Sequence, residues 1–177
     1  MSNISKKIEV AANVAILVVA LLLGVVLVKR YLLPSPPPVP QSEEQRLKPG
    51  DKLALADVDW GRSKKTLVMV LSTNCHFCTE SAPFYQRLAR EKSGRDDVRL
   101  LAVLPQSVEE SRKYLDTNGV SVTEVRQAQP GAVGVRGTPT LIIVNSSGAV
   151  VDSWVGKLPR DKEDEVLKRL MAAEAGD

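Results

Sequence analysis

Thr66-Leu67-Val68-Met69-Val70-Leu71-Ser72-Thr73-Asn74-Cys75-His76-Phe77-Cys78 is the stretch on which the fold turns. Its first six residues form an unbroken apolar or β-branched run, the pattern of a strand buried on both faces of a sheet. The run leads through Ser72-Thr73-Asn74 into a cysteine pair of C-x-x-C spacing. A helical pattern then continues to about Lys92 and ends near Gly94. A cysteine at a helix start meets free backbone N–H donors and the positive end of the helix dipole, so its thiolate is favoured. A second cysteine one turn deeper is placed to resolve a mixed disulfide. The spacing therefore predicts Cys75 as the nucleophile and Cys78 as the resolving thiol of a redox-active disulfide, Cys75–Cys78.

Other uses of the pair stand beside that one. Zinc needs two further ligands, and the chain has two cysteines in all and His76 as its only histidine. Haem attachment needs a histidine directly after the second cysteine, where Thr79 stands. A structural staple across so short a loop removes little chain entropy. His76, directly after the nucleophile, has two readings: a charge that stabilises the thiolate, or an exposed neutral residue that tunes the site sterically.

Around this centre the remaining strands are legible. Val98 to Leu104 reads as a second buried strand and Thr140 to Val144 as a third. Ser146-Ser147-Gly148 reads as a turn, after which Ala149 to Val155 pairs back as a hairpin. Lys52 to Val58 alternates weakly, as an edge strand would, and Val120 to Val125 suggests another short strand. Ser107 and Glu110 form a capping box ahead of a polar helix that stops at Asn118-Gly119. Pro159 opens a last helix with Val166, Leu167, Leu170 and Met171 on one face. Alternating strands and helices followed by a hairpin and a helix predict an α/β domain with a mixed central sheet flanked by helices.

The N-terminal part has a different character. Val10 to Val28 is apolar apart from Asn13, and Lys6, Lys7, Lys29 and Arg30 flank it. As a helix it would be about 28 Å long, close to the thickness of a bilayer core. It is read as an uncleaved single transmembrane signal anchor contacting the lipid bilayer; a buried core helix and a cleaved signal peptide are the alternatives. Pro34-Ser35-Pro36-Pro37-Pro38-Val39-Pro40 follows as an extended spacer of about 20 Å. Its rival reading is an SH3-type ligand. Ser42 and Gln45 have capping-box spacing for a short helix ending at Pro49-Gly50. The expected organisation is a tail over 1–9, an anchor and flank over 10–33, a linker over 34–41 and a globular domain over 42–177.

With 177 residues and a net charge of +3, the chain has no dense basic run, so no nucleic-acid partner is expected. No cofactor or metal is expected either, and the domain is taken as a monomer.

Three features together resemble the thioredoxin superfamily, most closely its membrane-anchored TlpA/ResA-like branch. The first is Cys75-His76-Phe77-Cys78 after an apolar strand, and the second is Pro83, five residues past the second cysteine. The third is Gly134-Val135-Arg136-Gly137-Thr138-Pro139-Thr140 before a strand. The resemblance covers about residues 48–172. It implies a thioredoxin-like fold with an N-terminal transmembrane helix, and a cis bond between Thr138 and Pro139 lying against the cysteine pair. It also implies thiol–disulfide oxidoreductase activity, with His76, Phe77, Thr138 and Pro139 tuning the site. The implied partners are protein thiols and disulfides and a membrane or periplasmic electron donor or acceptor. The implied location is the bacterial inner membrane with a periplasmic domain.

The chain also departs from that pattern. Asn74 stands where the family usually has tryptophan, and Met69 where thioredoxins bury an aspartate. Ser81 takes the place of a frequent glutamate, with Glu80 one position earlier and expected to face away from Cys78. A peroxiredoxin-like peroxidase would need a threonine three residues before its cysteine, whereas Thr73 is two before Cys75. A non-catalytic binding module for a metal or protein on the same fold is the remaining alternative; copper-binding versions use a longer cysteine spacing and a distant histidine.

Overall fold

The computed structural model describes residues 13–14, 16–23 and 47–172. The chain divides into two compact units, Met1–Gln41 and Ser42–Asp177.

In the second unit five strands form one sheet. They are β1 (Lys65–Val70), β2 (Val98–Leu104), β3 (Glu124–Gln127), β4 (Thr140–Asn145) and β5 (Val150–Val155). The order is β3-β2-β1-β4-β5. β1 runs parallel to β2, with Val70 opposite Val103, and β2 runs parallel to β3. β4 is antiparallel to β1, and β5 to β4. The helices are α1 (His76–Glu80), α2 (Ala82–Lys92), α3 (Val108–Thr117) and α4 (Arg160–Met171). Two 3-10 turns, Trp60–Arg62 and Pro130–Val133, complete the order.

The connections explain how the layers form. β1-α2-β2 and β2-α3-β3 are successive parallel crossovers that step the same way across the sheet. Crossovers of one hand in one direction must put both helices on one face. The core agrees: Phe84, Tyr85 and Leu88 of α2, Leu115 of α3 and Val166, Leu167 and Leu170 of α4 pack with Leu67, Met69 and Leu71. The opposite face carries Val68, Val70, Leu101, Val103, Ile142 and Val144. It is covered by Leu53, Val133 and Val135, with Trp60 and Leu47 at its margin. β1 thus buries alternate residues in two cores, which is why its sequence has no polar face. Each fully buried large apolar side chain of this kind contributes about 1.5–3 kcal/mol.

Several expectations change. The expected strand over Lys52 to Val58 reduces to one bridge, Lys52 to Ala149. The strand expected over Val120 to Val125 is Glu124–Gln127, because Leu101 to Leu104 of β2 offer their partners there. The single helix expected after the cysteines breaks at Ser81. Pro83 accounts for the break: it has no N–H to give and its ring crowds the preceding turn, so it sits in the first turn of α2 instead.

The membrane anchor is corrected as well. A bilayer needs about 20 consecutive apolar helical residues. No helix among the described residues is long and apolar enough to cross a membrane. Within Val10 to Val28 the helical residues described are 13–14 and 16–23, and the others lie outside the described residues. The single-pass transmembrane helix, signal anchor and bilayer contact therefore have no support from the fold. The inner-membrane location needed that span and is corrected with it; the periplasmic side of the domain was an implication of the resemblance alone. The tail over 1–9, the linker over 34–41 and the Ser42–Gln45 capping box also lie outside the described residues.

Candidate active site

β1 and β2 are parallel neighbours, and side chains gather beyond their carboxyl ends, where such sheets leave room for a site. Cys75 lies there as the N-cap of α1, with extended backbone angles of φ −97° and ψ 108°. In that conformation its sulfur accepts a hydrogen bond from the Cys78 backbone N–H at 3.1 Å. Cys78, one turn on, is 0 % exposed and belongs to the helix-side core with Met69 and Tyr85. Cys75 is half-buried. The two form a disulfide with a Cα–Cα distance of 5.2 Å.

The second wall is the segment before β4. The Thr138–Pro139 bond is cis, as the resemblance implied. The Thr138 carbonyl oxygen lies 3.4 Å from the Cys75 sulfur. The Thr140 hydroxyl donates to Gly137 O at 2.8 Å, and Gly156 N–H donates to Pro139 O at 2.7 Å. The loop is thus held from both sides and presents its backbone to the sulfur.

The outer rim is polar and charged. His76 is 79 % exposed, and its Nε2 lies 3.0 Å from Glu80 Oε1. Glu80 Oε2 accepts from Lys157 Nζ at 2.9 Å. That Lys157 hydrogen bond is the main reason the Glu80 carboxyl is held below its ordinary range; desolvation opposes it, and the Lys157 and His76 charges assist. Glu80 does lie on the surface, as its helix position suggested, but as the centre of a small charge cluster. Phe77, 55 % exposed, is the apolar element of the rim, its ring 5.8 Å from that of His76.

Ser81 is buried and donates its hydroxyl to Phe77 O at 2.8 Å, so it serves the helix break. Burial pushes the neighbouring Tyr85 phenol well above its ordinary value. Met69 is fully buried on the same side of β1. The structure thus brings the Thr138 carbonyl to the Cys75–Cys78 pair, with Pro139 next in the chain, and His76 and Phe77 lie between the two cysteines on α1. The sequence reading missed Lys157, which meets Glu80 only through the fold. It also missed Gln106, whose side chain reaches the loop before Cys75. Among the described residues no group of three His, Cys, Asp or Glu side chains is placed to hold a metal ion.

Chemically, a half-exposed sulfur that accepts a backbone N–H, disulfide-bonded to a shielded one, is a dithiol pair built for exchange.

Comparison with known proteins agrees with this geometry. The thioredoxin-like domain family matches residues 56–171. No curated protein matches the chain. Among solved structures, a protein provisionally assigned as the thiol:disulfide interchange protein DsbE of Chlorobium tepidum is similar at 22% identity and a TM-score of 0.55, over 70% of this chain and 96% of that one. The thioredoxin domain of a thiol-disulfide oxidoreductase from Bacteroides vulgatus is similar at 17% identity and a TM-score of 0.52, over 70% and 99%. A thiol-disulfide isomerase from Corynebacterium glutamicum is similar at 16% identity and a TM-score of 0.51, over 72% and 96%. At these identities the likeness speaks for the fold. The family match spans most of the second unit, cysteine pair included, and the chain belongs to the thioredoxin-like domain family.

Proposed function

We propose that the chain is a thiol–disulfide oxidoreductase acting on protein thiols and disulfides, with Cys75 as attacking and Cys78 as resolving residue. The observation that carries the reading is the asymmetry of the pair. Cys75 is half-exposed and accepts the Cys78 N–H at 3.1 Å, whereas Cys78 is 0 % exposed.

In the reductive direction the Cys75 thiolate attacks one sulfur of a partner disulfide. A Cys75–partner disulfide forms, the partner's S–S bond breaks, and the departing partner thiolate takes a proton. Cys78, deprotonated, then attacks the Cys75 sulfur. The Cys75–Cys78 disulfide forms and the second partner thiol leaves. Two electrons and two protons pass to the partner, and the reverse sequence oxidises a dithiol. Thr138, Pro139, His76 and Phe77 form the walls that a partner segment meets at Cys75.

Turnover of a protein disulfide by the full chain, with a small dithiol as electron source, tests the reading. Reduction above the uncatalysed rate is expected, lost in both Cys75→Ser and Cys78→Ser. Turnover unchanged in the Cys75→Ser variant would overturn it.

A further inference from the structure

We propose that Gln106 is a positioning residue for Cys75, holding the loop before it so that the Cys75 sulfur stays within reach of Cys78. The inference rests on the pair being the redox centre argued above.

Gln106 follows β2 as Cys75 follows β1, so parallel pairing brings the two loops side by side. Its half-buried amide uses both ends on one loop. Oε1 accepts the Thr73 N–H at 3.3 Å, and Nε2 donates to the Ser72 hydroxyl oxygen at 3.3 Å. That oxygen in turn accepts the Asn74 N–H at 3.3 Å. The Cys75 N–H donates to Ser72 O at 3.2 Å. Three consecutive amides before α1 are thereby satisfied, one by Gln106 itself and one by the hydroxyl that Gln106 orients. Each bond is longer than the usual N–H to oxygen distance, so the force lies in their convergence on one short loop.

Gln106 is anchored in its turn. Its backbone carbonyl accepts from the hydroxyl of Ser111, a fully buried residue of α3, at 3.4 Å. The preceding Pro105 carbonyl accepts from Gln127 Nε2 at 3.2 Å. An amide side chain suits the place because the loop asks for an acceptor and a donor together.

The consequence appears in the mixed-disulfide state. With the Cys75–Cys78 bond open, α1 is a short helix and the Cys75 sulfur is tied to a partner. Ring closure then depends on how tightly the backbone on the N-terminal side of Cys75 is held. A held loop raises the effective concentration of Cys78 at the Cys75 sulfur. A loosened loop favours the mixed disulfide.

The test is equilibration of the full chain with glutathione. One glutathione thiol opens the ring to a Cys75–glutathione disulfide and a Cys78 thiol; a second releases the dithiol and oxidised glutathione. Gln106→Met keeps the size and loses both bonds. Its ratio of ring disulfide to glutathione mixed disulfide is expected to fall roughly three- to tenfold, from the loss of one or two neutral hydrogen bonds. Ser72→Ala, which removes the relay hydroxyl, should move the ratio the same way. Gln86→Met, which loses a comparable bond to Asn118 O, should leave it unchanged. A merely structural role for Gln106 would lower the melting temperature without moving the ratio, and that result overturns the proposal. If wild-type protein formed no ring disulfide reversibly with glutathione, the oxidoreductase reading itself would fail.

Discussion

The Cys75 sulfur lies 3.4 Å from the Thr138 carbonyl oxygen and 3.1 Å from the Cys78 backbone nitrogen, so an acceptor and a donor face the same atom. The two act in opposite directions on the reduced protein. The carbonyl favours the thiol, which can donate to it, and the N–H favours the thiolate. A hydrogen bond to a charged acceptor is worth about 1.5–3 kcal/mol, whereas weak S–H···O contacts are second-order. The N–H should win. The Cys75 thiol is expected to titrate below a free cysteine, read from ultraviolet thiolate absorbance in the Cys78→Ser variant, which keeps the backbone N–H. Titration at or above the free value would mean that the Thr138 carbonyl dominates.

Glu80 offers a pH measurement with a definite sign. Its carboxyl is lowered from 4.5, first by the Lys157 hydrogen bond. A lowered carboxylate adds stability above its unfolded value and loses it as pH falls through the folded one. Glu80 is exposed, so the gain is small and salt-sensitive. Lys157→Met should move the Glu80 titration upward toward 4.5 in a carboxyl-resolved NMR experiment, with His76 left as its remaining cationic neighbour. An unmoved Glu80 titration in that variant would show that the Lys157 contact does not persist in solution.

The β4–β5 hairpin turns on Gly148, at φ +75°. A Cβ there would lie 2.7 Å from Trp60 Cδ1, whereas a Cβ at Gly94, φ +78°, meets nothing within 4 Å. The pair separates backbone strain from collision. Gly94→Ala should cost about 1–2 kcal/mol, the left-handed penalty alone. Gly148→Ala should cost more, because the Trp60 ring must leave the sheet face it covers. Urea unfolding of both variants decides it, and equal losses would show that Trp60 yields freely.

Strands β1, β2 and β4 are legible in the sequence because burial on both faces makes each an apolar run. The cysteine pair and the Thr138–Pro139 wall are legible through motif spacing. Lys52 to Val58 misleads because its inward residues do alternate at first, with Leu53 buried and Leu55 and Val58 half-buried against the same core, while its backbone pairs only through the bridge from Lys52 to Ala149. The helix break at Ser81 is not legible from the apolar periodicity, which runs on past it; it follows from Pro83, since a proline acts on the turn before it. Glu80 and Lys157 stand 77 residues apart, and no local pattern links them. Gln106 carried one faint signal: a polar side chain directly beyond a buried parallel strand, beside the strand that ends at the cysteines.

The order of attack is the sharpest test of the site. Cys75 is half-exposed with a donor on its sulfur, and Cys78 is sealed in a core with Met69 and Tyr85. Apolar burial disfavours a thiolate, so Cys78 should react only after Cys75 has engaged a partner. With Cys78→Ser the resolving thiol is gone, and mixed disulfides through Cys75 should accumulate with a protein disulfide substrate. With Cys75→Ser they should not, because a partner cannot reach Cys78. Iodoacetamide should label Cys75 first in the reduced wild-type protein near neutral pH. The α1 helix sharpens the expectation, because it is too short for its dipole to carry the effect and the direct N–H bond must do so. Faster labelling of Cys78, or more trapped partner in Cys75→Ser than in Cys78→Ser, would reverse the roles while leaving the fold intact.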